Sequence, residues 1–371
     1  ALEAATLWLE QEPESAQARQ VMTSLLVATG KLEDAKPNLQ KMLANESTRA
    51  LTLQQISSLL GRYPDKRAVL TLVKELTQPY DQMAEAHFAL ATAAQGADDK
   101  ELALKEARAA GKLKPGWEAA ANLEGQLLLA SSPDKAVEFY EDFLGKHPAA
   151  KSVRLNYARL LAERKNVAGT KTQIEELVKA APQDAETLIA SGVLAGQIKD
   201  YETSERHLQR ALELSPQQGD DIRMYLGQLY EDRKVYADAE KWYREVEPGE
   251  QFLSAQIKVA TMIARQGRMD DARKYLSQVQ ASGPQRAQLI LAEAQLLREA
   301  KDYQGAYDRL AAGLEEFPGS VELLYDRAMI AEKMDRVDLL EQDLKLLLSF
   351  KPDHAHAYNA LGDTLADRTD R

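Results

Sequence analysis

The sequence predicts an all-α solenoid, a row of helix-turn-helix repeats stacked along one chain. Three observations carry this. Prolines at 148, 182 and 216, and again at 284, 318 and 352, are spaced by 34 residues, and a fixed period of this size marks a repeat architecture. Good helix formers (Ala, Leu, Glu, Gln, Lys and Arg) dominate, and Val, Ile and Thr never gather into the alternating runs that make strands. A short phrase also recurs in register: "GKLEDA" at 30–35, "KDYETS" at 199–204, "KVYADA" at 234–239, "GRMDDA" at 267–272 and "KDYQGA" at 301–306.

Each part of the repeat has a physical reason. The first helix carries a small residue, eleven or twelve positions before the second, Ala/Ser/Thr/Leu position of each complete repeat: Thr23, Ala91, Gly125, Ala158, Gly192, Gly227, Ala260, Ala294 and Ala328, with Gly362 matching in the last half repeat. Glycine inside a helix costs about 1 kcal/mol against alanine. It recurs here because a larger side chain would collide with the facing helix. A turn follows, and then the phrase opens the second helix. Its acidic residues suit a helix N-terminus, where free N–H groups and the dipole favour negative charge. Leu32, Tyr201, Tyr236, Met269 and Tyr303 resemble hydrophobic staples. Four residues beyond the second small position come Leu39, Tyr140, Ile174, Leu208, Tyr243, Leu276, Leu310 and Leu344, on the same helix face and aimed at the core. Proline then closes the repeat.

This pattern resembles the tetratricopeptide repeat (TPR), with a small residue at the eighth position, Ala at the twentieth, a large apolar residue at the twenty-fourth and Pro at the thirty-second. The resemblance covers essentially the whole chain. It implies a right-handed superhelix of ten complete repeats, at 14–46, 47–79, 83–115, 117–148, 150–182, 184–216, 219–249, 252–284, 286–318 and 320–352. The second is degenerate, with Ile56 at a small position. Arg327, Glu293 and Glu124 stand where the family prefers an apolar residue. A half repeat is expected at each end, 1–13 and 355–368. With the start at "ALEAATLWLE", without an initiator Met, these suggest a fragment of a longer protein. The whole of 1–371 is expected to form one continuous array. Spacing changes around 245–252, from 32 to 36 residues between Pro216, Pro248 and Pro284, which reads as a bend or as ordinary loop variation.

Composition narrows function. A net charge of −11 without a basic stripe argues against nucleic acid. No apolar run approaches the roughly 20 residues of a membrane span. Without cysteine, disulfides, Cys-ligated zinc and thiol chemistry drop out, as suits an exported bacterial protein. No nucleotide-binding, zinc-protease or nucleophile-elbow motif is present. Of the histidines, His147 precedes a closing proline, His207 reads as a surface position on a second helix, and His354 and His356 do not share a helix face. No catalytic residue, cofactor or metal site is expected.

The remaining function is recognition, since stacked helix pairs expose an extended concave surface. In the TPR family the first helices line it, with partner contacts at their second, fifth, sixth, ninth and twelfth positions. That resemblance nominates Phe88, Asn122, Gln126, Leu155, Arg159, Met224, Tyr225, Gln228, Gln295, Arg298, Tyr325 and Met329, together with Asn156 and Leu291. Aliphatic members of the set equally suit packing between neighbouring first helices. The Lys and Asn clamp that grips chaperone tails is missing: the fifth and ninth positions read Phe88/Thr92, Leu155/Arg159, Ile189/Val193 and Met224/Gln228.

The Cys-free, Gln- and Ala-rich repeats, and "PDHAHAYNALGDTLADRT" near the end, resemble the pseudomonad outer-membrane TPR lipoproteins of the LbcA type. Those are adaptors of a periplasmic carboxyl-terminal processing protease. The resemblance implies a non-enzymatic scaffold on the periplasmic face of the outer membrane of a Gram-negative bacterium, with a lipid anchor upstream. Its partners would be a serine protease and the cell-wall hydrolases that protease cuts. The alternatives are a TPR scaffold for exopolysaccharide secretion, or the TPR arm of an enzyme.

Overall fold

A computed structural model describes residues 1–368, and side chains as far as Gly362. Among the described residues there are 22 α-helices, two short 3-10 helices and no strand. The repeat architecture is as the sequence predicts: α1 (Leu2–Gln11), ten successive helix pairs, and α22 (Ala355–Arg368). The chain divides into two compact units after Ala181.

The first unit holds α1, α2 (Ala16–Ala28), α3 (Leu32–Ala44), α4 (Arg49–Leu60), α5 (Lys66–Thr77), α6 (Ala84–Gly96), α7 (Lys100–Leu113), α8 (Glu118–Ser131), α9 (Pro133–Lys146), α10 (Lys151–Glu163) and α11 (Val167–Ala180). The second holds α12 (Ala185–Gln197), α13 (Tyr201–Leu214), α14 (Gly219–Asp232), α15 (Tyr236–Arg244), α16 (Phe252–Arg265), α17 (Met269–Gln278), α18 (Pro284–Glu299), α19 (Tyr303–Glu316), α20 (Val321–Lys333), α21 (Val337–Phe350) and α22.

The recurring phrase is a turn with fixed backbone geometry. Its first residue is left-handed whether it is glycine or lysine: Gly30 (φ 78°), Lys199 (62°), Lys234 (62°), Gly267 (81°) and Lys301 (62°). Lys199 N–H donates to the Gly196 carbonyl (2.9 Å) and Asp200 N–H to that of Ala195 (2.8 Å). These bonds satisfy carbonyls that a helix end otherwise leaves open. The next residue caps the second helix, where Asp200 and Asp302 accept from the N–H groups of Thr203 and Gly305. Leu32, Tyr201, Tyr236, Met269 and Tyr303 are the first residues of their helices. They are therefore not staples, which precede the cap.

The small and large positions interlock. A Cβ added to Gly192 would lie 2.8 Å from Leu208 Cγ, and one on Gly125 or Gly227 would clash with the ring edge of Tyr140 or Tyr243. Tyr140 is 2% exposed and Tyr243 is fully buried. Burial pushes the Tyr140 hydroxyl up to about 12. Where Ile56 replaces the small residue, it is fully buried and separates its own pair. Helix α4 packs mainly against α6 and only lightly against α5.

The three polar departures are paired. Arg327 donates to both carboxylate oxygens of Asp343 (2.9 and 2.6 Å), and Asp343 is 1% exposed. Glu293 accepts from Arg273 (2.9 Å) and Arg309 (2.5 Å). Glu124 accepts from Arg108 (2.9 Å).

Two further expectations are corrected. His207 is not at the surface: it is 8% exposed, on the core side of α13, and its Nδ1 has no partner. Its neighbours in sequence are charged, but its register follows Leu208 inward. Pro284 does not close a repeat; it is the first residue of α18. Helix α17 ends early, at Gln278, and residues 279–283 make the connection. Pro248 lies in the connection 245–251, after an α15 of only 9 residues.

Candidate binding surface

Stacked first helices bring residues 34 apart in sequence face to face. In the first unit this builds a polar chain between α8 and α10. The Ser152 hydroxyl donates to Glu118 Oε2 (2.5 Å) and accepts from Asn122 Nδ2 (2.8 Å). Asn156 Nδ2 donates to Asn122 Oδ1 (2.8 Å), and Arg159 Nη1 to Asn156 Oδ1 (3.2 Å). Arg159 and Gln126 are exposed beside it. The network fixes the rotamers of both asparagines and spends one of the five guanidinium donors of Arg159, leaving the others toward solvent. Phe88 is half-buried against Trp117, ring centroids 4.9 Å apart. Lys114 lies 4.6 Å over the Trp117 ring and donates to Glu85 at 2.7 Å. Leu155 is half-buried.

In the second unit Tyr225 is 42% exposed on α14. With Val193, Gly196, Gln228 and Asp232 it lines a cleft of about 540 Å³ between α12 and α14. Gln228 donates to Asp232 (2.8 Å) and accepts from Lys258 (3.3 Å). Below it Glu231 accepts from Tyr243 (3.0 Å), Lys258 (2.8 Å) and Arg265 (2.7 Å). Burial works against the charge of Glu231. The hydrogen bonds from Lys258 and Tyr243 and the attraction of Arg265 outweigh it and hold the carboxyl below its usual range. Met224 packs half-buried against the core. Further along, Arg298 donates to Gln295, and Gln295 to Glu299 at 2.7 Å. Tyr325 and Met329 are half-buried, with the Tyr325 ring 5.5 Å from that of His354. His354 sits ahead of α22, where its Nδ1 accepts from Ala357 N–H (3.1 Å).

The nominated residues thus fall into two groups. Gln126, Arg159, Tyr225 and Gln228 are exposed; Phe88, Asn122, Leu155, Met224, Gln295, Arg298, Tyr325 and Met329 are half-buried. Ser152, Glu118, Asp232 and Lys258 were missed. The readable signal for the first two was the 34-residue offset that also relates Asn122 to Asn156.

Comparison with known proteins bears on the repeat. A tetratricopeptide repeat family model matches residues 189–251 and 263–321. Over those residues the chain carries tetratricopeptide repeats. The TPR repeat-containing protein PA4667 of Pseudomonas aeruginosa is 39% identical over 153 residues, 41% of this chain and 26% of the relative. The chain therefore aligns with about a quarter of that protein's length. Among solved structures, yeast Tom70 is 14% identical with a TM-score of 0.46, covering 99% of this chain and 88% of Tom70. A tetratricopeptide repeat protein of Parabacteroides merdae is 16% identical with a TM-score of 0.41, covering 76% and 98%. Among the described residues no helix is long and apolar enough to cross a membrane.

Proposed function

We propose that this TPR array is a non-enzymatic scaffold of the bacterial envelope, which binds a carboxyl-terminal processing protease and delivers cell-wall hydrolases to it. TPR repeats are protein-interaction modules, and part of the chain is similar to a TPR repeat-containing protein of Pseudomonas aeruginosa. The observation that carries the reading is the set of polar and aromatic side chains presented by the first helices α8, α10 and α14. Asn122, Asn156 and Arg159 are held in one hydrogen-bonded chain, and Tyr225 stands 42% exposed over a cleft. Arginine and tyrosine are the residues that most often anchor protein interfaces. Two proteins tethered on one scaffold meet at an effective concentration of the order of millimolar. A scaffold that prefers the protease's active conformation would also activate it. In this reading the array acts at the periplasmic side of the outer membrane.

The test is capture from a Gram-negative envelope extract, with mass spectrometry of the bound proteins. A PDZ-containing serine protease should be recovered, and Arg159→Ala with Tyr225→Ala should reduce its recovery about tenfold without changing the melting temperature. Recovery of polysaccharide-export proteins in its place would overturn the proposal.

A further inference from the structure

The change of register at Pro284 has a spatial result. Helix α18 has 16 residues, while the first helices α10, α12 and α20 have 13. Its additional N-terminal turn stands beside the connection between α19 and α20 and encloses a cleft of about 730 Å³. Pockets of about 300–1,000 Å³ are large enough to engulf a small ligand or several side chains. Pro284, Ala287, Leu291, Phe317 and Pro318 form its apolar walls. Gly319 keeps one side open, since a Cβ there would meet only Phe350, at 3.8 Å. Phe350 is itself 52% exposed and extends the apolar surface outward.

The rim is acidic. Glu316 and Glu322 both line the cleft, and Glu315 is exposed beside them. Glu315 and Glu316 occupy the last turn of α19, which has no basic residue. Carboxylates at a helix C-terminus oppose the dipole, so the helix gains nothing from them. Arg286, half-buried, approaches the exposed Glu316 at 3.6 Å, a pair worth about 1 kcal/mol at most. Fold stability accounts for Glu322, in the first turn of α20, but gives no reason for the charge of Glu315 and Glu316. Nor do the helix starts present an anion site. The N–H groups of Arg286 and Ala287 turn back to the Gly283 carbonyl (3.1 and 3.2 Å), and the Ser320 hydroxyl accepts from Leu323 N–H.

We propose that this cleft is a second docking site, for a partner-protein segment that buries an apolar side chain and carries Lys or Arg on either side of it. The apolar walls supply the anchor, and the carboxylates select the flanking charge and speed its approach. The proposal rests on the scaffold reading but not on which protein is captured.

The probe is fluorescein-labelled Ser-Lys-Arg-Leu-Phe-Arg-Lys-Ser, titrated with the full chain and read by anisotropy. Two controls replace Leu-Phe by Ser-Ser, or the four basic residues by Glu. The basic apolar peptide should bind, more weakly as salt rises, and both controls should bind at least about tenfold more weakly. Ala287→Trp, which fills the cleft, and Glu316→Gln with Glu322→Gln, which neutralises its rim, should each weaken binding by about tenfold. Circular dichroism checks that both fold; if Ala287→Trp does not, the neutral pair decides. Equal affinity for the three peptides, or unchanged affinity in the neutral pair, would overturn the proposal. So would concentration-dependent self-association lost in Ala287→Trp, which would seat a second copy of the chain in the cleft. Peptide binding that fails while envelope capture persists rejects the cleft alone. Capture that fails while peptide binding persists rejects the protease reading alone.

Discussion

Replacing Gly125 by alanine should destabilise the first unit, although the same change elsewhere in these helices should do the opposite. A Cβ at Gly125 would clash with the hydroxyl end of the Tyr140 ring. That ring has little room to retreat: it is 2% exposed and lies 5.7 Å from both Phe139 and Tyr157. Overpacking costs about 1–3 kcal/mol, and a boxed ring belongs near the upper figure. Helix propensity returns about 1 kcal/mol, leaving a net loss of about 2 kcal/mol. Gly111, inside α7, has no neighbouring atom within 4 Å of an added Cβ, so Gly111→Ala should gain about 1 kcal/mol. Urea unfolding read by Trp117, the residue that precedes α8, in a Trp8→Phe, Trp242→Phe background, compares the two. With a slope of about 2 kcal/mol per M, the midpoint should fall by about 1 M for Gly125→Ala and rise by about 0.5 M for Gly111→Ala. In a Tyr140→Leu background Gly125→Ala should become neutral or stabilising, because the clash is the coupled term. A Gly125→Ala protein as stable as the parent would refute the interlock.

Asp343→Ala should cost about 3–5 kcal/mol by stranding Arg327, while Arg327→Leu with Asp343→Leu should recover most of it; urea midpoints of the three chains decide. Glu231 is held below the ordinary glutamate value of 4.5, so its contribution is complete above that pH and is lost as pH falls below it. Glu231→Gln should therefore flatten the loss of stability between pH 7 and pH 3.5, seen as a smaller change in midpoint. Burial, with repulsion from Arg206, lowers His207 from 6.5 against the pull of Asp200. The unfolded chain then takes up the proton first, so stability drops as pH falls below 6.5. His207→Leu should remove that drop between pH 7.5 and 5.5 in the same assay.

The period, the helix pairs and the small-large interlock were legible because each repeats in the sequence at a fixed offset. Gly125 with Tyr140 and Gly227 with Tyr243 are read from single columns of the repeat. What resisted was anything satisfied by a residue in another column. Arg327 and Glu293 looked like departures because Asp343, Arg309 and Arg273 stand 16 to 20 positions away, on second helices. His207 was misplaced because composition around it is polar while its helix phase points inward. The role of Pro284 was hidden by its regular spacing: proline opens a helix as readily as it ends a repeat. For the candidate surface, the resemblance named first-helix positions, but only geometry separates exposed Tyr225 from half-buried Met224 beside it.

The carboxylate of Glu231 also has a bearing on how the array can change length. Its two cations, Lys258 and Arg265, come from the next first helix. If one 34-residue unit were lost and α18 took the place of α16, Ala292 and Glu299 would stand where those cations do. A buried negative charge would then face another carboxylate. Repeats that look interchangeable by their small and large positions are thus numbered by their charges. An unequal exchange between neighbouring repeats, or a slip of one repeat during folding, meets an electrostatic penalty that a consensus array would not impose.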